Sequence, residues 1–184
     1  MRAAVFTGVN QALSIEALTP LPPGPNDVVV QVTGSGLCHT DHAVIHGALP
    51  MAPPMILGHE VAGTLKALGA SVSALAIGDR VAVSPSRPCN ACEYCLKGQQ
   101  NQCLDMRFYG SAMRMPHIQG AFSQRLVANH WQCHKVGDDV SINEAAFAEP
   151  FAVTLHAVDR AGPLLGTRVL VTGCGPIGTL CIVA

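Results

Sequence analysis

The stretch SPSRPCNACEYCLKGQQNQC, residues 84–103, carries Cys89, Cys92, Cys95 and Cys103 in the spacing CxxCxxCx7C. Four thiolates able to converge tetrahedrally on one ion describe a structural zinc site. The first three cysteines stand among Pro88, Asn90 and Gly98, so the chain turns here instead of running on as a helix or strand, and the turns let successive sulfurs face inward. The ion then replaces the apolar core that the segment lacks. Disulfide-bonded knuckles and an iron–sulfur cluster are the competing readings, and the ligand spacing favours zinc over both. A closed four-thiolate site has no open coordination position, so it stabilises a lobe, here at about residues 86–104, and any chemistry lies elsewhere.

Composition bounds the rest. A chain of 184 residues, 49 % hydrophobic and only 12 % charged, suits one well-buried domain plus something short, and argues against disorder. A net charge of -1 with no basic run longer than two residues argues against a nucleic acid or an anionic membrane surface, leaving a small molecule as the expected partner. The first residues, MRAAVFTGVN, have no apolar signal core, so the eight cysteines are expected to be reduced thiols and the protein cytoplasmic. The longest apolar stretch, residues 169–184, is broken by three glycines and a proline. It is also shorter than the roughly 20 residues of a spanning helix, so no membrane segment is expected.

Before the cysteine stretch, short β-like runs alternate with turns: AAVFT at 3–7, LSIEAL at 13–18 and DVVVQVTGSG at 27–36, then HEVAGTLKAL and GDRVAVSP. HTDHAVIHG at 39–47 reads as one short helix. After the cysteines, strand-like sequence returns in GAFSQRLVANHWQCHKV, and SINEAAFAEPFAVTLHAVDRAG predicts two helices meeting at Glu149-Pro150. RVLVTGCGPIG, 168–178, is an apolar strand running into Gly173, Gly175 and Gly178. That GxGxxG pattern, with Pro176 and Ile177 inside it, suits a turn where backbone meets a dinucleotide pyrophosphate. The acidic ribose ligand expected about 20 residues further on would lie past Ala184.

Metal-competent residues stand in three distant segments: Cys38 in GLCHTDH, His59 and Glu60 in ILGHE, and Glu149 in AFAEPF. Catalytic zinc takes three protein ligands and leaves a fourth position open, but spacing cannot join residues so far apart, and ordinary burial is the stronger reading of these residues alone. In NHWQCHKV, strand alternation puts Cys133 on the opposite face from His130 and His134, which argues against a third metal site. Cys174 and Cys181 are expected to be small buried thiols, and His156 a core histidine on an apolar helix.

Taken in order, GLCHTD, GHEVAG, GDRVAV, the cysteine stretch, AEPFAVTLHA and VTGCGPIG resemble the zinc-dependent medium-chain dehydrogenases over essentially the whole chain. SPSRPCNACEYC, NQCLDMRFYGSAMRMPHIQGAF and AFAEP resemble their polyol and sugar-acid branch. The resemblance implies a mostly β fold with short helices. A GroES-like catalytic domain at 1–150 would carry the zinc lobe, and 151–184 would open a truncated Rossmann α/β domain with its first strand and glycine turn.

By the same resemblance, Cys38, His59 and Glu149 would hold a catalytic zinc, with Glu60 near enough to exchange into it and Asp41 orienting the histidine. Thr40 would pass on the substrate proton, and Gly173, Gly175, Pro176, Ile177 and Gly178 would meet NAD or NADP. Many members have a histidine five residues after the cysteine ligand, where this chain has Ala43, with His42 and His46 nearby. Arg107, Phe108 and Tyr109 either line the substrate pocket or pack beside the lobe. The implied activity is oxidation of a secondary alcohol of a polyol or sugar acid, with two zinc ions per chain, by a full-length homo-oligomer, the 184-residue piece alone being inactive. The alternatives are a non-enzymatic zinc-stabilised binding module and a dehydrogenase for sorbitol, threonine or simple alcohols.

Overall fold

The computed structural model describes residues 1–111 and 114–184; Ala112 and Met113, within the segment that resembles the polyol branch, lie outside the described residues. Its centre is a five-stranded antiparallel sheet in the order β10-β6-β5-β3-β9, built from β3 (Asp27–Gly36), β5 (Glu60–Leu68), β6 (Arg80–Val83), β9 (Arg125–Asn129) and β10 (Cys133–Lys135). A second sheet of β1 (Arg2–Phe6), β2 (Ser14–Ala17) and β4 (Met55–Ile56) is ordered β2-β1-β4.

Alternation along the strands sorts side chains to the two faces of the central sheet. Val61, Leu65, Val81 and Val83 join Val28, Val30, Leu126, Ala128 and Cys133 in the main core. Ala62 and Ala82 face the other way and pack against Ala145 and Ala146. Small residues on that face let the short helix α3 (Ile142–Ala145) sit close to the sheet, and its N-terminus is closed by a reciprocal cap. Glu144 N donates to Ser141 Oγ at 3.1 Å, and Ser141 N donates to the Glu144 carboxylate at 2.7 Å.

The expected helix junction moves. Pro150 does not interrupt a helix: α4 runs over Ala148–Arg160 with Pro150 in its first turn, where its missing N–H has no intrahelical partner to lose. The break falls at Ala146 and Phe147, and α4 crosses position 150 without interruption. Its buried positions are Pro150 and Thr154, one turn apart. His156 lies off that stripe and is exposed, not a core residue.

The cysteine stretch hangs from a two-stranded clamp, β7 (Ser86–Arg87) with β8 (Arg107–Phe108), which pairs Ser86 with Phe108 and Arg87 with Arg107. Gln132, fully buried in the 3₁₀ turn before β10, ties this clamp to the central sheet. Its Nε2 donates to Ser84 O at 2.9 Å and Ser86 O at 3.0 Å, while its Oε1 accepts from the Tyr109 hydroxyl at 2.9 Å and from Asn129 N at 3.2 Å. Tyr109 is thus a packing residue, 2 % exposed, with burial pushing its hydroxyl up to about 12.

At the end of the chain, α5 (Pro176–Val183) follows the glycine turn with Gly175 as N-cap and Pro176 in its first turn. A Cβ on Gly178 would lie 1.9 Å from Gly173 O, and Gly173 has φ +95°, so this turn requires glycine at both places. Residues 168–172 form no β-ladder among the described residues, because a strand exists only beside a partner and none of the described strands pairs with them. Cys174 is exposed and Cys181 half-buried, contrary to the expectation of buried thiols: α4 packs against α5 but leaves Cys174 in the glycine turn uncovered. Leu165, Val169, Leu170, Ile182 and Val183 are also exposed.

Candidate metal centres

In the lobe, the sulfurs of Cys89, Cys92, Cys95 and Cys103 all lie within 4.8 Å of one another. Cys89 Sγ and Cys95 Sγ are 4.0 Å apart, too far for a disulfide and close to the roughly 3.8 Å edge of a tetrahedron with 2.3 Å zinc–sulfur bonds. The turns that bring the sulfurs together also aim backbone N–H groups at them: Cys92 N donates to Cys89 Sγ at 3.3 Å and Cys89 N to Cys103 Sγ at 3.2 Å. N–H groups from Ala91 and Cys92 lower the Cys89 thiol, those from Cys95 and Leu104 bring Cys92 down to about 6, and burial pushes Cys95 up to about 12. Donors pointed at sulfur favour the thiolate, the form a metal needs, so the four residues fit a zinc ion.

A second cluster forms where the ends of β3 and β5 meet α1 (His39–Ile45). Cys38 is the N-cap of α1, and His59 and Glu60 stand at the start of β5. One ligand atom from each of Cys38, His59 and Glu60 lies within 4.8 Å of the others. Gly36 makes room for this: a Cβ there would sit 1.9 Å from Glu60 Oε2. Glu149, in the first turn of α4, does not join that tight group, but it lies near enough to feel the charge of Glu60. Burial first, and then the charge of Glu60, push its carboxyl up to about 7. Burial likewise raises Glu60, aided by Asp41 and opposed by His59 and Cys38. A thiol, an imidazole and two carboxyls, both held up by burial and one of them also by the charge of the other, form a donor set that a divalent cation would relieve, so these residues fit zinc as well.

Asp41 is fully buried beneath this cluster. One carboxylate oxygen accepts from Cys38 N and the other from Gly58 N, both at 3.0 Å. It therefore fixes both segments that deliver ligands. Its separation from His59 Nδ1 is 3.8 Å, beyond a hydrogen bond, and that nitrogen is buried without a partner. Burial raises the Asp41 carboxyl against the pull of His59 and of the two N–H groups. The sequence carried a signal for the first of these bonds only, an acidic residue at the third helical position after Cys38, where a side chain returns to the cap N–H. Thr40 Oγ1 lies 3.6 Å from Cys38 Sγ. Phe108 sets its ring edge against His59 with centroids 5.5 Å apart, so of the three residues at 107–109 Phe108 adjoins the cluster, while Arg107 donates to Pro116 O and Tyr109 packs below the lobe. Cys133 is buried and His134 exposed on β10, whereas His130 has left the strand for the 3₁₀ turn, so these three do not converge.

The fold and the two clusters define the class: a GroES-like β domain with a thiolate lobe. The family description "Alcohol dehydrogenase GroES-like domain" matches residues 24–138. The chain is 42 % identical over 163 residues to L-idonate 5-dehydrogenase (NAD(P)(+)) of Escherichia coli (strain K12), covering 86 % of this chain and 47 % of that protein. It is 37 % identical over 184 residues to the sorbitol dehydrogenase of Bombyx mori, covering 97 % of this chain and 51 % of the other. The crystal structure of L-idonate 5-dehydrogenase from Escherichia coli superposes with a TM-score of 0.87 at 36 % identity, over 98 % of this chain and 52 % of that one. The chain belongs to the zinc-dependent medium-chain dehydrogenases, whose GroES-like domain it contains. It spans about half the length of the curated relatives it matches.

Proposed function

We propose that this chain is the catalytic part of an NAD(P)-linked oxidoreductase acting on a secondary alcohol of a sugar acid or polyol, of L-idonate 5-dehydrogenase type. The observation that supports it most is the convergence of Cys38, His59 and Glu60, with the half-buried Glu149 close enough to feel the charge of Glu60. In this reading Cys38, His59 and Glu149 hold a catalytic zinc, Glu60 exchanges into that set, and Cys89, Cys92, Cys95 and Cys103 hold a structural one. Zinc would supply Lewis acidity toward the substrate hydroxyl and nicotinamide would accept the hydride. Thr40 Oγ1 takes the hydroxyl proton beside Cys38, Phe108 walls the site next to His59, and Asp41 keeps both ligand-bearing segments in place. His42 is exposed on α1, so the proton leaves Thr40 toward solvent without a buried relay at Ala43.

Gly173, Gly175, Pro176, Ile177 and Gly178 form the pyrophosphate turn, and its glycine-dependent geometry supports that role. Residues 1–150 and 151–184 act as catalytic domain and start of the nicotinamide domain, in a cytoplasmic protein that works as a homo-oligomer at full length. Among the described residues no helix is long and apolar enough to cross a membrane.

Zinc content of the purified chain, measured beside Cys38→Ser and Cys103→Ser variants, tests this reading. Two zinc ions per chain, one lost with each variant, are expected. A single zinc, lost only with Cys103→Ser, would leave a zinc-stabilised binding module as the better description.

A further inference from the structure

Helix α1 carries a feature that the dehydrogenase reading does not use. His42 and His46 stand four residues apart on its exposed side, one turn above the other, with ring centroids 4.2 Å apart and planes tilted by 45°. Two imidazoles bound in neighbouring positions of one ion, through nitrogens at about 2.1 Å, would put their ring centres roughly 4.5 Å apart. The observed centroid spacing is close to that value. A second contact prepares one ring. His46 Nδ1 lies 3.2 Å from Asn10 Oδ1, and an amide oxygen can only accept, so Nδ1 carries the proton and the Nε2 lone pair is left free. Outer partners of this kind fix the tautomer of metal-binding histidines. Asn10 is itself held: its N–H donates to Ile45 O at 2.7 Å, and its φ of +57° belongs to a tight turn packed on the end of α1. His39 stacks on His42 at a longer 5.5 Å with planes 25° apart.

We propose that His42 and His46 form a surface chelate for a divalent transition-metal ion of the nickel and copper class, separate from both cysteine-containing clusters. Imidazole donors with the remaining positions open to water suit these ions, which bind such ligands more tightly than manganese or iron. The thiolates, softer donors, keep zinc.

The test is equilibrium dialysis against Ni²⁺ of the chain carrying its two zinc ions and freed of excess zinc, with both metals counted by elemental mass spectrometry. One nickel per chain should bind without zinc release. His42→Gln and His46→Gln should each weaken it about tenfold or more, because either change breaks the chelate, and the double variant should be little weaker than either single one. Asn10→Ala should weaken it by about tenfold, as loss of an outer-sphere partner does. Matching circular dichroism spectra establish that the variants fold. Nickel uptake matched by zinc loss would place the ion at the cysteines and overturn the proposal. So would equal halving of uptake by the two single variants, the behaviour of independent surface imidazoles.

Discussion

Asp41 shows how much one buried carboxylate can organise. Its two oxygens hold the backbone N–H groups of Cys38 and Gly58, so the thiol at the start of α1 and the imidazole at the start of β5 are positioned by the same group. Asp41→Ala should lower zinc affinity at the Cys38 and His59 cluster by about 10- to 100-fold, the usual effect of removing an outer partner of a metal ligand, while the lobe keeps its ion. Counting zinc against a graded chelator reads this directly, and equal loss from both sites would show that Asp41 matters to the whole fold instead. The influence of Glu60 on Glu149 could not be read from the sequence. The two residues are distant in the chain, and only the packing of α4 beside β5 brings their charges together.

Among the elements, α3 and the lobe clamp show two ways in which short segments stay ordered. A four-residue helix is too short to hold itself together, so α3 depends on its cap and its alanine contacts. Ser141→Ala should cost about 1 kcal/mol in chemical denaturation at neutral pH. The Ser141 hydroxyl and N–H hold Glu144 below the ordinary glutamate value of 4.5. A depressed folded-state pKa means the stabilisation is complete above about pH 4.5 and is lost as pH falls through the lower value, so the gap between wild type and variant should narrow in acid. Gln132→Leu is more disruptive. It strands the carbonyls of Ser84 and Ser86 and leaves the Tyr109 hydroxyl only its longer bond to Val127 O, and should cost about 2–4 kcal/mol, measured by urea unfolding of the zinc-loaded chain. A cost below about 0.5 kcal/mol, the size of an ordinary surface change, would mean that the clamp does not depend on this residue.

For the whole molecule, the lobe and the sheet are separable in what holds them. The five-stranded sheet has an apolar core, whereas the lobe has only its four sulfurs and the clamp. Removing zinc with a strong chelator should abolish amide protection over residues 88–106 and leave β3, β5 and β6 protected in hydrogen exchange. Loss of protection throughout would show that the lobe supports the core. The cysteine spacing, the β-rich run before it and the glycine turn were legible in the sequence, because each depends on neighbours within a few residues. Strand β3 was read with the boundaries it has, as its turns and β-branched run are local signals. The junction at Pro150 was misread because a proline in a first helical turn and one that breaks a helix look alike until the helix start is known. Cys174 and Cys181 were expected inside from residue type and His156 from the apolar sequence around it, but burial depends on what packs over a residue. By itself, then, the sequence determined the local geometry: four converging thiolates, alternating strands and a glycine-dependent turn. Only the tertiary structure decided which distant residues share a site, since Cys38, His59 and Glu60 meet through sheet pairing and helix packing that no spacing encodes.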